Sequence, residues 1–292
     1  MPLISIIVPY FNRFTCLPAL IQSVQSQTHA NWELVLVDDC SSDSLQVQAL
    51  LKSLGDCRIR YIRHETNLNG AQARNTGLKE CSGQYVAFLD SDDLWHEQKL
   101  SVQLNQLLES PHPENAFLYG ALQKIYANKK GKDSFLPERE KGLTESVSDY
   151  LFAGKGLMQT STFFLSASLA KRIAFNPKLK RHQDYDFVLR AEHAGVDFYF
   201  TQQALCSWIC LSGEENISSK GCKLAFSIDW FMEYQQYMTS TGRDAYLSKQ
   251  MFYIAVKSKQ LMDYYRFLLK EFSLGKCVKT LLSNIQFVMN KG

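Results

Sequence analysis

The chain has 292 residues, 46% hydrophobic and 21% charged, which allows a large core and excludes wholesale disorder. No apolar run nears the roughly 20 residues of a membrane-spanning helix. Net charge is +3, yet the stretch from Arg243 to Gly292 holds nine Lys/Arg against three Asp/Glu, so the basic excess is confined to the tail.

The opening MPLISIIVPYFNRF lacks a basic leader and a small-residue cleavage site, so it is expected to start a mature protein with a β-strand at residues 4–9, ended by Pro9. Residues 15–27 predict a helix with Leu17, Leu20, Ile21 and Val24 on one face. WELVLV (32–37) is the next buried strand, and Ser42 and Asp43 are placed to cap a helix running to Leu54. RIRYIR (58–63) alternates as a strand, 70–80 suits a short helix, and YVAFL (85–89) closes the series. Strands alternating with helices imply βαβ units and a mostly parallel sheet.

Further on, 97–108 is helical, SPHPEN (110–115) breaks it, and 116–127 reads as strand before a polar loop at 128–142. TSTFFLSASLAKRI (160–173) predicts a strand entering a short helix. HQDYDFVLRAEHAG (182–195) predicts a helix that Asp184 caps and Gly195 stops. From about Lys220 the chain reads as helical, and CVKTLLSNIQFVM puts Val278, Leu281, Leu282, Ile285 and Met289 on one stripe. The aromatic-rich pieces DWFMEYQQYM and MDYYRFLL are read as packing. The eight cysteines show no CxxC and no Cys/His cluster at zinc spacing, and are read as reduced thiols of a cytosolic protein.

In a parallel sheet, ligands sit beyond the carboxyl ends of the strands. Those ends are PYFNR (9–13), DDCSSD (38–43) and DSDD (90–93), two of them acid-rich. GxGxxG and a phosphate-cradling glycine loop are both absent, so a diphosphate would be held another way. Carboxylates sharing a divalent cation with phosphate oxygens are one such way. The bland alternative is that these acids solvate turns.

Together SIIVPYFNR, QSVQSQTHANWELVLVDDCSSD, NLNGAQARNTGLKECSGQYVAFLDSDD and HQDYDFVLRA resemble the family 2 glycosyltransferases, over about residues 3–210. The resemblance implies an α/β chain with the GT-A nucleotide-diphosphosugar transferase fold, a Rossmann-like, mostly parallel sheet flanked by helices. Residues 1–215 would be the transferase domain, with 1–95 the nucleotide-sugar half and 96–215 the acceptor half, and 216–292 a helical extension. It also implies an inverting transfer of sugar from a nucleotide diphosphosugar, UDP-linked with GDP and dTDP as the alternatives, to a saccharide or lipid-linked saccharide hydroxyl. Bacterial surface polysaccharide is the implied destination. Pro9, Tyr10 and Asn12 would line the nucleotide pocket, Asp39 would meet the base with Asp38 beside it, and Arg74 would lie near the nucleotide or its diphosphate. Asp90 would sit by the ribose, Ser91 would belong to the nucleotide-binding set, Asp92 would bind Mn²⁺ or Mg²⁺, and Asp184 would be the general base.

Two positions depart from the family pattern. Gln183 stands where a Glu is usual, and 208–220 holds no histidine. His182 and His193 are read as packing or surface groups. A non-catalytic nucleotide-sugar-binding module of the same fold is the rival reading, with Gln183 as its support. No nucleic-acid motif accompanies the basic tail. That tail has two readings: a helix lying peripherally on the inner face of the cell membrane, or one covering the core or a homodimer partner.

Overall fold

The computed structural model describes residues 1–126, 133–210 and 224–289. The chain divides into two compact units, Met1–Glu140 with Met158–Ser212, and Lys141–Leu157 with Gly213–Gly292. The predicted boundary at 215/216, the stretch beyond Cys210 in 208–220 and part of the 128–142 loop lie outside the described residues.

The first unit opens with β1 (Ile4–Tyr10), α1 (Leu17–Gln25), β2 (Trp32–Asp38), α2 (Ser44–Leu54), β3 (Ile59–Arg63), α3 (Gly70–Glu80) and β4 (Tyr85–Phe88). These strands pair in parallel in the order β3-β2-β1-β4. Every residue of β1 and β2 is buried, as continuous β-branched runs require when helices cover both faces. Each fully buried Val, Leu or Ile there contributes roughly 1.5–3 kcal/mol. α1 buries the four apolar residues its periodicity picked out. α3 lies so close on β1 that a Cβ at Gly77 would sit 2.4 Å from Ile7 Cγ2.

The unit continues with β5 (Leu94–Trp95), α4 (Lys99–Leu108), β6 (Ala116–Tyr126), β7 (Ser134–Leu136), β8 (Phe164–Ser166), α5 (Ala167–Ile173), α6 (Gln183–His193) and β9 (Asp197–Cys210). β8 joins β4 and β6 antiparallel, and β9 runs parallel to β6. Among the described residues the nine strands form one mixed sheet, β3-β2-β1-β4-β8-β6-β9-β5, with β7 on β6.

Three local expectations change. α6 begins at Gln183 with His182 at its N-cap, so Asp184 stands inside the first turn and does not cap the helix. Asp43 holds the N-cap position of α2, but its side chain takes no cap bond and instead accepts from Tyr10 Oη at 2.7 Å and Phe14 N at 3.2 Å. The pattern analysis assigned no element to 197–210. There the register jumps from Gly120↔Thr201 to Leu122↔Cys206, and the extra residues on β9 break the alternation that marks a strand.

The second unit contains the insertion 141–157 and the helices α7 (Leu224–Tyr234), α8 (Ser240–Ala245), α9 (Phe252–Lys257), α10 (Leu261–Glu271) and α11 (Leu274–Met289). Its core is aromatic. Trp230 stacks on Tyr234 at 4.9 Å, and Phe152 from the insertion meets Tyr246 edge-on at 5.1 Å. No helix among the described residues is long and apolar enough to cross a membrane.

Candidate active site

The carboxyl ends of β1, β2 and β4 carry the polar residues that the sequence singled out. At β1, Pro9 is buried in the sheet and Tyr10 turns its hydroxyl onto Asp43. Burial, then the Asp43 hydrogen bond, pushes the Tyr10 phenol up. Asn12 adopts φ 51°, which Asn tolerates better than most residues, and its Oδ1 accepts from Ser42 N at 2.8 Å. The β1 loop is thereby tied to the β2 loop.

At β2 both acids are buried and already engaged. Asp38 accepts from Ser41 N at 2.8 Å and from the Tyr61 hydroxyl, with Arg63 Nε 3.7 Å away. Asp39 lies 2.8 Å from His64 Nδ1 and accepts from Leu68 N and Asn69 N, each at 2.8 Å. Asn69, held at φ 78°, then caps α3 by accepting from Ala71 N at 2.9 Å. A chain of hydrogen bonds thus runs from the end of β2 into the first turn of α3, the helix that carries Arg74.

At β4 the three acids of DSDD part company. Arg74 pairs with Asp90 through Nη2 and donates through Nη1 to Gln183 Oε1 at 2.6 Å, which ties α3, the end of β4 and the start of α6 together. Ser91 sits half-buried in the turn. Asp92 is partly exposed, with Arg13 Nη2 at 3.8 Å. Asp93 points inward, accepting from Ser161 Oγ at 2.6 Å and Gln159 Nε2 at 2.7 Å. Burial, followed by the charges of Asp90 and Asp92, raises the Asp93 carboxyl well above its ordinary range. Burial, then Asp90, also raises Asp92, with Arg13 opposing.

Asp184 is half-buried, its Oδ1 accepting from Tyr185 N at 2.9 Å. Burial, with Asp90 adding like charge, lifts its pKa to about 6. His182 stacks on Tyr185 at 5.1 Å, and burial lowers its pKa to about 3.

The structure therefore gathers Arg74, Asp90, Gln183 and Asp184 and sets Asp92 beside Arg13. It holds Asp38 and Asp39 as buried acceptors under the neighbouring loops. Sequence reasoning gave no role to Arg13, His64, Gln159 or Ser161. Arg13 stood inside a quoted motif, whereas Gln159 and Ser161 act through long-range contacts that leave no local signal.

No group of three or more His, Cys, Asp or Glu able to hold a metal ion occurs among the described residues. The set still fits a cation held mainly by substrate. Mg²⁺ and its like use one or two carboxylates, several waters and substrate phosphates. Asp92 supplies a hard oxygen, and the like charge of Asp90 beside it is what a cation would relieve.

Comparison with known proteins decides the family. A sequence profile described as Glycosyl transferase family 2 matches residues 5–159, and the Amylovoran biosynthesis glycosyltransferase AmsB of Erwinia amylovora is 31% identical over 251 residues, 84% of this chain and 81% of that one. The chain belongs to glycosyl transferase family 2. A second relative in Escherichia coli is the UDP-Glc:alpha-D-GlcNAc-diphosphoundecaprenol beta-1,3-glucosyltransferase WfgD. It is 42% identical over 126 residues, 43% of this chain and 48% of that protein. Among solved structures, S. aureus TarS 1–349 in complex with UDP-GlcNAc superposes with a TM-score of 0.66 over 99% of this chain and 81% of that one, at 20% identity. That likeness shows the fold. This family 2 glycosyltransferase has the GT-A α/β architecture, a mixed sheet flanked by helices, with a helical C-terminal region.

Proposed function

We propose that this family 2 glycosyltransferase moves a sugar, with inversion, from a UDP-linked donor to a hydroxyl of a saccharide or lipid-linked saccharide during assembly of a bacterial surface polysaccharide. The observation that carries the reading is Asp184. It is a carboxylate in the first turn of α6, poised near neutrality and joined through Gln183 and Arg74 to the acids ending β4. The names of similar proteins support the donor and destination: TarS is described with UDP-GlcNAc, WfgD with a UDP-Glc donor and a diphosphoundecaprenol acceptor, and AmsB with amylovoran.

In this reading Asp184 accepts the acceptor hydroxyl proton as that oxygen bonds to the anomeric carbon. The bond from that carbon to the diphosphate oxygen breaks on the opposite face, and the nucleoside diphosphate departs with the electron pair. Arg74 supplies positive charge beside Asp90, and the helix N-terminus favours the anionic form of Asp184 before it takes the proton. Asp92 would hold Mn²⁺ or Mg²⁺, which when bound offsets the charge of the leaving diphosphate. Pro9, Tyr10, Asn12, Asp39 and Ser91 are assigned to nucleotide contacts, with Asp38 as support beneath them. A cytoplasmic location belongs to the same reading, since the scattered cysteines have no paired spacing.

Calorimetric titration of UDP, GDP and dTDP, with and without Mn²⁺, tests the donor reading. Metal-promoted binding of UDP, lost in Asp92→Ala, is expected. Absence of binding by folded protein for all three nucleotides would overturn it.

A further inference from the structure

The last helix of the second unit is built inside out. In α11 the buried residues are Thr280 and Asn284, 3% and 1% exposed, whereas Leu274, Leu282 and Met289 are 72%, 62% and 75% exposed. Val278, Leu281, Ile285 and Val288 are exposed with them. At 100° per residue these seven fall within one arc of about 120°. The stripe that periodicity predicted is real, but it faces away from its own unit.

Hydrogen bonding fixes this orientation. The Asn284 amide meets the Tyr264 and Tyr265 hydroxyls on one side and the Ser248 and Thr280 carbonyls on the other. The Cys277 thiol donates to Leu268 O at 3.2 Å, and the Lys279 ammonium donates to Asp244 at 3.0 Å. Rotating the helix to bury its leucines would strip these groups of their partners. Seven clustered apolar side chains left in water mark an interaction surface.

Charge selects the occupant. From Arg243 to Met289 there are eight Lys/Arg and three acids. Lys257 and Lys259 are exposed at the end of α9, and Arg266 and Lys270 are exposed on α10 beside Met262 and Leu269, which are themselves exposed. Lysine is depleted from the cores of protein interfaces but is favoured next to anionic lipid headgroups. An apolar stripe accompanied by excess lysine is the composition of a helix lying in a bilayer interface.

We infer that α11 docks along an anionic lipid surface, its stripe Leu274, Val278, Leu281, Leu282, Ile285, Val288 and Met289 sunk to the level of the acyl chains. The contact is peripheral, and its test does not depend on turnover, so it stands or falls apart from the donor-site reading.

The experiment is co-sedimentation of the full chain with vesicles of phosphatidylglycerol and phosphatidylethanolamine, against vesicles of phosphatidylcholine. Binding to the anionic vesicles is expected, falling at least tenfold in Leu282→Glu/Ile285→Glu, several-fold in Lys257→Glu/Lys259→Glu, and progressively with salt. Circular dichroism checks that each variant folds; should the first pair unfold, Leu274→Glu/Met289→Glu at the exposed ends of the helix replaces it. No binding to either vesicle, or equal binding to both, would overturn the proposal. So would a dimer, seen by light scattering, that Leu282→Glu/Ile285→Glu makes monomeric while vesicles remain unbound, since the face would then belong to a second copy.

Discussion

The acids ending β2 and the acids gathered around the end of β4, Asp184 of α6 among them, are the same residue type at neighbouring strand ends, yet the protein treats them oppositely. Asp39 is buried, with His64 and two backbone amides on its carboxylate oxygens. Asp92 and Asp184 are raised in pKa by burial first and by the charge of Asp90 after it, with too few donors to settle their charge. A carboxylate given three donors ties the neighbouring loops to the sheet. One desolvated and facing like charge costs stability when charged, and is retained where a substrate needs it.

The largest expected effect comes from Asp184→Asn. Removing a general base lowers kcat by about 10²–10⁴-fold, and donor binding should survive. Stability should respond in the opposite sense. The folded protein holds a proton on Asp184 up to about pH 6, the unfolded chain only up to the usual carboxylate range near 3.8. Folding therefore takes up a proton between those values, and the wild type loses stability as pH rises through that window. Melting curves at pH 4 and pH 7 should show Asp184→Asn gaining on the wild type at the higher pH. A variant that melts lower at pH 7 would place Asp184 among the structural acids.

Asp39→Ala should do the reverse. It orphans two backbone amides and a histidine nitrogen that the buried carboxylate holds, at a cost of about 3 kcal/mol, or about 6–12 °C in Tm for a unit of this size. Asp92→Asn, by contrast, should melt no lower than the wild type while kcat/KM in Mn²⁺ falls by about 10²-fold, since a cation at a developing phosphate charge contributes several kcal/mol. If Asp39→Ala and Asp92→Asn melted alike, the distinction between the two ends of the sheet would collapse.

That distinction was only half legible in the sequence. The β1 to β4 half announced itself because buried parallel strands are unbroken apolar runs and α1 between the first two keeps a clean apolar face. Its motifs pointed to residues that the structure places at the strand ends, but not to the loads those residues carry. Nothing in VDDCSSD says that Asp39 will be spent on Leu68 and Asn69, because those partners are set by how the loop before α3 folds back. In DSDD the motif carried roles for Asp90, Ser91 and Asp92 and none for Asp93, which Gln159 and Ser161, 66 and 68 residues away, hold inward. β9 was hidden by the bulge that breaks its alternation. For α11 the periodicity found the stripe, but periodicity carries no information on which face meets the core. There, two buried polar residues decided it.

The smallest effect sharpens the comparison furthest. Gln183 is neutral where a carboxylate is usual, and its Oε1 accepts from Arg74 while its Nε2 donates to Leu179 O at 2.8 Å. Gln183→Glu would keep the Arg74 contact as a charge-assisted bond but lose the donor to Leu179. It would also place a second negative charge next to Asp184 in sequence, disfavouring the ionised form of the proposed base. The acid limb of the kcat/KM profile, expected near pH 6 in the wild type, should therefore move upward by about half a unit to one unit, with the plateau changed only a few-fold. Arg74 limits the shift, because a new ion pair screens part of the added charge from Asp184. A limb that stays in place while KM for the donor changes would mean that Gln183 acts through Arg74 on the diphosphate and not through Asp184 on the acceptor.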